Sequence, residues 1–381
     1  RADKTRPGLL YSGTEWGIFI SFDDGNSWKP FQLNLPITAI RDLHVKENDL
    51  IVATHGRSFW IIDDLTPLHQ LSKNLLSKKS HLFKPDISYR MQSGWNGSGS
   101  LLSGENHPNG VIINYFIKNV NNEDFIKIEI FDQEGSLIRS FTNNKKKLLS
   151  SSVKPVSSNS NDIDYALAGN NIKSLDPISG GNRLVWDMRY PGYKTFEGMV
   201  FYSSPNVGPK AIPGKYKVRL TYNEEISEEE FEVIKDPRLT NSKEDFTNQF
   251  NFLINVRNEV SKANQAIIDI RNIRTDLNYL INKSHENKQI NSLINEFLEK
   301  LNVIENKIHM TKNQSRQDPL NFGIRINNRL AFLMADSQRG DYPPTDQSIE
   351  FFEEIKKELN SELNNLDMVS KEYINSINSL I

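Results

Sequence analysis

Ser21-Phe22-Asp23-Asp24-Gly25-Asn26-Ser27-Trp28 is a turn whose chemistry can be read residue by residue. Asp23 is placed to accept hydrogen bonds from turn amides, Gly25 to take a positive φ, and Trp28 to cover the turn as an apolar lid. Aspartate in a tight turn normally bonds its own backbone, so Asp23 reads as a structural acceptor and not as a catalytic acid. Around the turn lies a unit that is written twice. Leu9-Leu10-Tyr11-Ser12-Gly13-Thr14 followed by Gly17-Ile18-Phe19-Ile20-Ser21 aligns with Leu50-Ile51-Val52-Ala53-Thr54 followed by Phe59-Trp60-Ile61-Ile62-Asp63. Each copy reads strand, short loop, strand.

The turn fits the Asp-box pattern Ser-x-Asp-x-Gly-x-Ser/Thr-Trp, with Ser21, Asp23, Gly25 and Trp28 as its structural residues. Thr14 and Thr54 are 40 positions apart (54 − 14), and β-propeller blades repeat at about 40 to 50 residues. Ala39 to Val45 supplies the inner strand of the second copy, and Glu47-Asn48-Asp49 its first turn. After Asp63-Asp64, Pro67 interrupts any ladder and no second box follows. Residues 1–68 therefore read as the last, incomplete blades of a propeller. Two partial blades cannot close a ring, so the expectation is a C-terminal fragment of a longer chain whose upstream blades pack against it.

The 381 residues suffice for two or three domains with separate cores. A net charge of −2 gives no global pull toward nucleic acid or an acidic membrane. Without cysteine there are no disulfides, thiol nucleophiles or cysteine metal sites. No apolar run approaches the roughly 18 residues of a membrane span. The seven histidines share no ligand spacing, and no phosphate loop or nucleophile elbow occurs, so no metal and no cofactor is expected.

Residues 69–109 change character, with Lys73, Lys78, Lys79 and Pro85 ahead of Ser93-Gly94-Trp95-Asn96-Gly97-Ser98-Gly99-Ser100, and read as a linker that packs Trp95 on a neighbour. Residues 110–236 read as an immunoglobulin-like β-sandwich with strands at 111–117, 125–131, 137–141, 183–188, 213–220 and 230–234. An insertion at about 143–181, carrying Lys145-Lys146-Lys147 and Ser150-Ser151-Ser152, reads as a disordered loop. From 237 to 381 the apolar period becomes 3.6 and an antiparallel four-helix bundle is expected. Ser242 and Asp245 form a capping box; Ile290, Ile294, Phe297, Leu301, Ile304 and Ile308 step as a heptad seam. A third helix is expected from an Asp318-Pro319 cap to about Gln338, and a fourth from Thr345. The four stripes satisfy one another, so a fragment from about Asp236 is expected to fold alone. The fold class is thus multidomain, β then α.

Arg6 to Gly17, Val52 to Trp60, Leu184 to Pro191 and Lys235-Asp236-Pro237-Arg238 sample almost the full length. Together they resemble the C-terminal part of large bacterial exported proteins with sortilin-like, bacterial-neuraminidase-repeat propellers, often labelled glycosyl hydrolases. The resemblance implies export to the periplasm or cell surface, and a sandwich similar to the Ig-like fold of flagellar hook-capping proteins. It carries no catalytic constellation with it. In a sialidase-type propeller the catalytic face lies opposite the Asp box, at the loops between the second and third strands of each blade. Here those loops hold Glu15 and Trp16, and His55, Gly56 and Arg57. Trp16 suits stacking, Arg57 a carboxylate, and Glu15 and His55 proton transfer, together forming a ligand rim; the same residues also read as blade-to-blade packing. A glycosidase needs two carboxyl groups about 5 to 10 Å apart, and no such set is complete in this chain. The leading expectation is a protein- or glycan-binding or scaffold module. The alternative is a glycoside hydrolase whose catalytic residues lie mostly upstream.

Overall fold

A computed structural model describes residues 1–72, 74–91, 106–144, 172–283 and 287–380. The chain is of mixed class, with β-sheets first and a helical region at the C-terminal end. It divides into two compact units: residues 1–126, 176–187 and 215–234 form one, and residues 127–175, 188–214 and 235–381 the other. Trp95, the Lys145 to Lys147 run and Ser150 to Ser152 lie outside the described residues.

The first unit begins with two small antiparallel sheets. β1 (Leu10–Thr14), β2 (Gly17–Ser21) and β3 (Lys29–Pro30) form one; β4 (Ile40–Lys46), β5 (Asp49–Thr54) and β6 (Phe59–Ile62) form the other. Arg1 to Asp3 extend the first sheet through a bridge between Ala2 and Leu10. The two sheets share one core of Leu9, Tyr11, Ile18, Ile20, Leu43, Val45, Leu50 and Val52. Their backbones approach closely: a β-carbon on Gly13 would lie 2.6 Å from the Ile40 Cγ2.

The strand registers correct the internal alignment by one residue. Gly13 faces Ile18 and Tyr11 faces Ile20 in the first sheet; Ala53 faces Phe59 and Ile51 faces Ile61 in the second. With Tyr11 matched to Ile51, Ile18 corresponds to Phe59 and Ile20 to Ile61, so Gly17 is not the counterpart of Phe59. The second loop holds one more residue than the first. Because side chains alternate, a slip of one residue exchanges the faces of a strand.

The stretch read as a linker contributes regular structure. A short helix α1 (Thr66–Gln70) runs into it from the preceding segment, and the stretch itself holds β7 (Ser80–Leu82) and β8 (Ser88–Arg90). β7 pairs with β9 (Val111–Ile117), which also pairs with β13 (Gly180–Trp186). Three-residue strands show no usable periodicity, and only the partner strand defines them. β14 (Gly214–Tyr222), β15 (Glu225–Lys235) and β8 lie side by side. Trp186 is fully buried and meets Tyr216 and Phe231 edge-on at 5.6 and 6.1 Å between ring centroids.

In the second unit β10 (Ile126–Phe131) pairs antiparallel with β11 (Leu137–Thr142), which pairs parallel with β12 (Ile172–Ser174). The helical region holds α2 (Lys243–Lys283), α3 (Lys288–Ile308), α4 (Pro319–Phe322), α5 (Ile326–Asp336) and α6 (Asp346–Asn378). The Ser242 capping box forms: Ser242 N donates to Asp245 Oδ2 at 2.7 Å and Asp245 N to Ser242 Oγ at 3.1 Å. All six seam residues of α3 are buried. Thr345 caps α6 by accepting from Ser348 N.

Two expectations about the helices are corrected. The third helix is broken in two, because Gly323 sits at φ 75° and its N–H closes on Pro319 O, leaving Arg325 extended. Asp318 stands at the N-cap position, but its side chain does not cap the helix; the carboxylate turns back to accept from Gln314 N at 2.7 Å and Ser315 N at 2.9 Å. The helical core is also not closed by helices alone. Tyr193 and Phe196, from the segment between β13 and β14, are buried in it, with Met199 and Phe201 packed alongside.

Candidate functional site

The two loops expected to form a ligand rim are built alike. In the first, Thr14 Oγ1 donates to Gly17 O at 3.0 Å and accepts from Trp16 N at 3.1 Å. In the second, Thr54 Oγ1 donates to Ser58 O at 2.6 Å and accepts from Arg57 N at 3.1 Å. One threonine, at the end of β1 and at the end of β5, therefore fixes each loop, and this equivalence is the physical content of the 40-residue repeat. Gly56 and Ser58 both take positive φ (76° and 65°), which lets the longer loop close.

Within the second loop, His55 is held at three points. Its N–H donates to Ala39 O at 2.8 Å, its carbonyl accepts from Thr38 Oγ1 at 3.1 Å, and its ring Nδ1 lies 3.2 Å from Arg41 Nε. Arg41 has no acceptor, so it must donate and His55 Nδ1 must accept; the ring proton is on Nε2. Arg41 was not singled out from sequence. It occupies the register break between Ile40 and Asp42 in the β4–β5 ladder, and a bulge re-aims a side chain in this way. Arg57 is exposed, with its carbonyl accepting from Trp60 Nε1 at 2.8 Å. Trp16 is 76% exposed, and Glu15 is exposed beside it. The structure thus brings Arg41 to His55, while no described hydrogen bond or ion pair joins Glu15 or Trp16 to the second loop.

Three carboxylates near the two small sheets, Asp23, Asp42 and Asp3, are occupied. Asp23 Oδ1 accepts from Ser21 Oγ and Ser27 N, both at 2.8 Å, and Oδ2 from Ser27 Oγ at 2.5 Å; the Ser27 hydroxyl and amide, then Ser21, hold its pKa down at about 2. Gly25 in that turn has φ 87°, and a β-carbon there would sit 3.7 Å from the Trp28 ring. Asp42 pairs with Arg1 at 2.7 Å. Asp3 is buried among Thr5 N, Arg6 N, Tyr11 Oη and His69 Nε2 at 2.8 to 3.2 Å. Burial raises the Asp3 pKa, but the Arg6 and Thr5 amides and His69 outweigh it, so the group lies below its usual value. It ties the N-terminal residues to α1.

Elsewhere, a groove of about 710 Å³ in the second unit is lined by Asn306, Arg325, Lys357 and Ser361 and crossed by the ion pairs Lys307–Glu362 (2.7 Å) and Arg329–Glu358 (2.6 Å). Among the described residues no group of three or more His, Asp or Glu side chains is arranged to hold a metal ion. No described helix is long and apolar enough to cross a membrane. No family model, curated protein or solved structure matches the chain.

Proposed function

We propose that the two N-terminal sheets are blades of a β-propeller, followed by an immunoglobulin-like sandwich and a four-helix bundle, in an exported protein that binds a protein or glycan ligand at the rim. One observation supports the propeller reading. Tyr11, Ile18 and Ile20 are core residues of the first sheet, and their counterparts Ile51, Phe59 and Ile61 lie on the outer face of the second. Phe59 is 77% and Ile61 55% exposed. Every blade of a propeller uses one face for the preceding blade and the other for the next, and this repetition assigns the outer face of the second sheet to another blade.

The rim is suited to a ligand that joins a carboxylate to an apolar face, such as an acidic sugar or an acidic peptide. Arg57 and Arg41 supply donors for the carboxylate, and Trp16 a platform for the ring or side chain. Binding is favoured over hydrolysis because Asp42 is already paired with Arg1 and Asp23 is committed to its own turn, which leaves neither free to act as a catalytic carboxyl group. The test is to screen the protein against sialosides, uronate-containing plant and algal glycans, and acidic peptides, with Trp16→Ala and Arg57→Ala as controls. Retention lost in both variants is the expected result. Retention unaffected by either variant refutes the rim, and release of a cleaved sugar establishes the hydrolase alternative.

A further inference from the structure

The core of the second unit contains a line of buried amides that starts at a histidine and ends on the segment between β13 and β14. His309 directly follows α3, is 2% exposed, and packs its ring edge-on against Phe196 at 4.9 Å and beside Phe201 at 6.2 Å. Asn327, fully buried in the first turn of α5, places Nδ2 3.2 Å from His309 Nδ1 and 3.0 Å from Asn264 Oδ1. Asn264, fully buried on α2, donates from Nδ2 to Lys194 O at 2.6 Å. These orientations follow from one another. Lys194 O accepts only, so Asn264 must turn its amino group to it and its Oδ1 to Asn327. Asn327 must then offer its own amino group, which makes His309 Nδ1 an acceptor and puts the ring proton on Nε2. Asn327 Oδ1 is left buried with no hydrogen-bond partner among the described residues.

We propose that protonation of His309 reverses this line of amides and releases Lys194, making the segment from Tyr193 to Phe201 an acid-sensitive strap on the helical core. A protonated ring carries N–H on both nitrogens, so Nδ1–H would confront the Asn327 amino group. Asn327 can satisfy it by turning its amide over and presenting the otherwise unused Oδ1. That turn faces an oxygen toward Asn264 Oδ1, and Asn264 must turn over in its place. Its oxygen then meets Lys194 O at the 2.6 Å now spanned by a hydrogen bond. Two acceptors cannot share that distance, and the strap backbone has to move.

The charges around the ring act in the same direction. From α2, Arg271 donates to Glu305 Oε1 at 3.0 Å and to Glu197 O of the strap at 2.7 Å, with its guanidinium over the Phe196 ring. Arg274, also from α2, takes the other Glu305 oxygen at 2.5 Å. Glu305 on α3 is thereby committed to two arginines. The described contacts of α5 with the ring come from Asn327, which is neutral. The strap adds Phe196 and Phe201, while the Lys194 ammonium turns away to Gln265. Burial, then Arg271, pushes the His309 pKa down to about 4, against the Glu305 carboxylate, from an ordinary value of 6.5. With the strap open the ring regains that ordinary value. Acid therefore favours the open form: its population relative to the closed form grows as pH falls from 6.5 and levels off below about 4. Between pH 7 and 4.5 the change is about 50-fold.

The test is hydrogen exchange on the full chain at pH 7 and 4.5, corrected for the intrinsic pH dependence of exchange. The Lys194 amide, bonded to Ser261 Oγ at 3.0 Å, is the reporter, and amides of Ile294 to Leu301 in α3 are the reference. Lys194 is expected to lose roughly 50-fold of protection relative to the reference, and His309→Leu to abolish that loss. Equal protection at both pH values, or an equal loss in His309→Leu, overturns the proposal. Should His309→Leu not fold, NMR titration of the unaltered chain decides: the His309 ring and the Asn264 and Asn327 side-chain amides must shift with one midpoint near pH 4. Side-chain amides that stay still while the ring titrates overturn it equally.

Discussion

Removing the aromatic residues of the segment between β13 and β14 is expected to destabilise the helical region severely, although both lie more than 40 positions before α2. Tyr193 is 1% and Phe196 5% exposed inside the core that also holds Val260, Ile267 and Ile304. Each such side chain buries about 150 to 250 Å², and at about 25 cal/mol per Å² the pair contributes roughly 8 to 12 kcal/mol. A fragment from Asp236 to Ile381 lacks both side chains and leaves their places in the core open, so it is expected to be markedly less stable than the full chain, and the expectation of autonomous folding gives way to one of dependence on this segment. In the full chain, Phe196→Ala is expected to cost about 3 to 5 kcal/mol. Tyr193→Phe keeps the ring and removes only the hydroxyl bond to Ser204 O at 2.8 Å, for about 1 kcal/mol. Urea unfolding followed by circular dichroism at 222 nm measures all three. A 236–381 fragment that unfolds cooperatively at the same urea concentration as the full chain refutes the reasoning, as does Phe196→Ala within about half a kcal/mol of the unaltered protein.

Two further outcomes follow from local geometry. Gly323→Ala is expected to cost about 1 kcal/mol although a β-carbon there meets nothing within 4 Å, because the cost lies in φ 75° and not in crowding; an unchanged melting temperature would show that the break between α4 and α5 is not fixed by that dihedral. Asp23 has a folded-state pKa held below its ordinary 3.8, so its contribution to the N-terminal turn is present above about pH 4 and lost as the pH falls through about 2. Trp28 fluorescence should report that loss in the unaltered protein, and Asp23→Ala should remove the pH dependence while loosening the turn at neutral pH. The same acid response in both proteins would point to a different carboxylate.

Much of the secondary structure was legible because it depends on neighbours in the chain. The six strands expected between 110 and 236 all form, since their alternation is a local pattern, and the Ser242 box and Thr345 cap form because each joins groups three residues apart. Gly323 was overlooked inside a sound helical period, where one positive φ outweighs several good helix formers. β7 and β8 were illegible because strands of three residues exist only through their partners. In the proposed rim, the loops containing Glu15, Trp16, His55 and Arg57 followed from the repeat, whereas Arg41 reached His55 through a bulge that no composition announces.

The doubled strand–loop–strand unit, the turn at Asp23 and the helical stripes are written locally in the chain, since all of them rest on periodicity or on hydrogen bonds within a few residues. Which face of each small sheet is core came from packing alone, because the two sheets meet through opposite faces, Tyr11 and Ile20 in the first and Leu50 and Val52 in the second. The tertiary structure alone also showed that Tyr193 and Phe196 complete the helical core, and that Lys194, Asn264, Asn327 and His309 are joined in one line. Those groups are up to 133 positions apart (327 − 194), and no local pattern can bring together atoms whose contact depends on how separate elements pack.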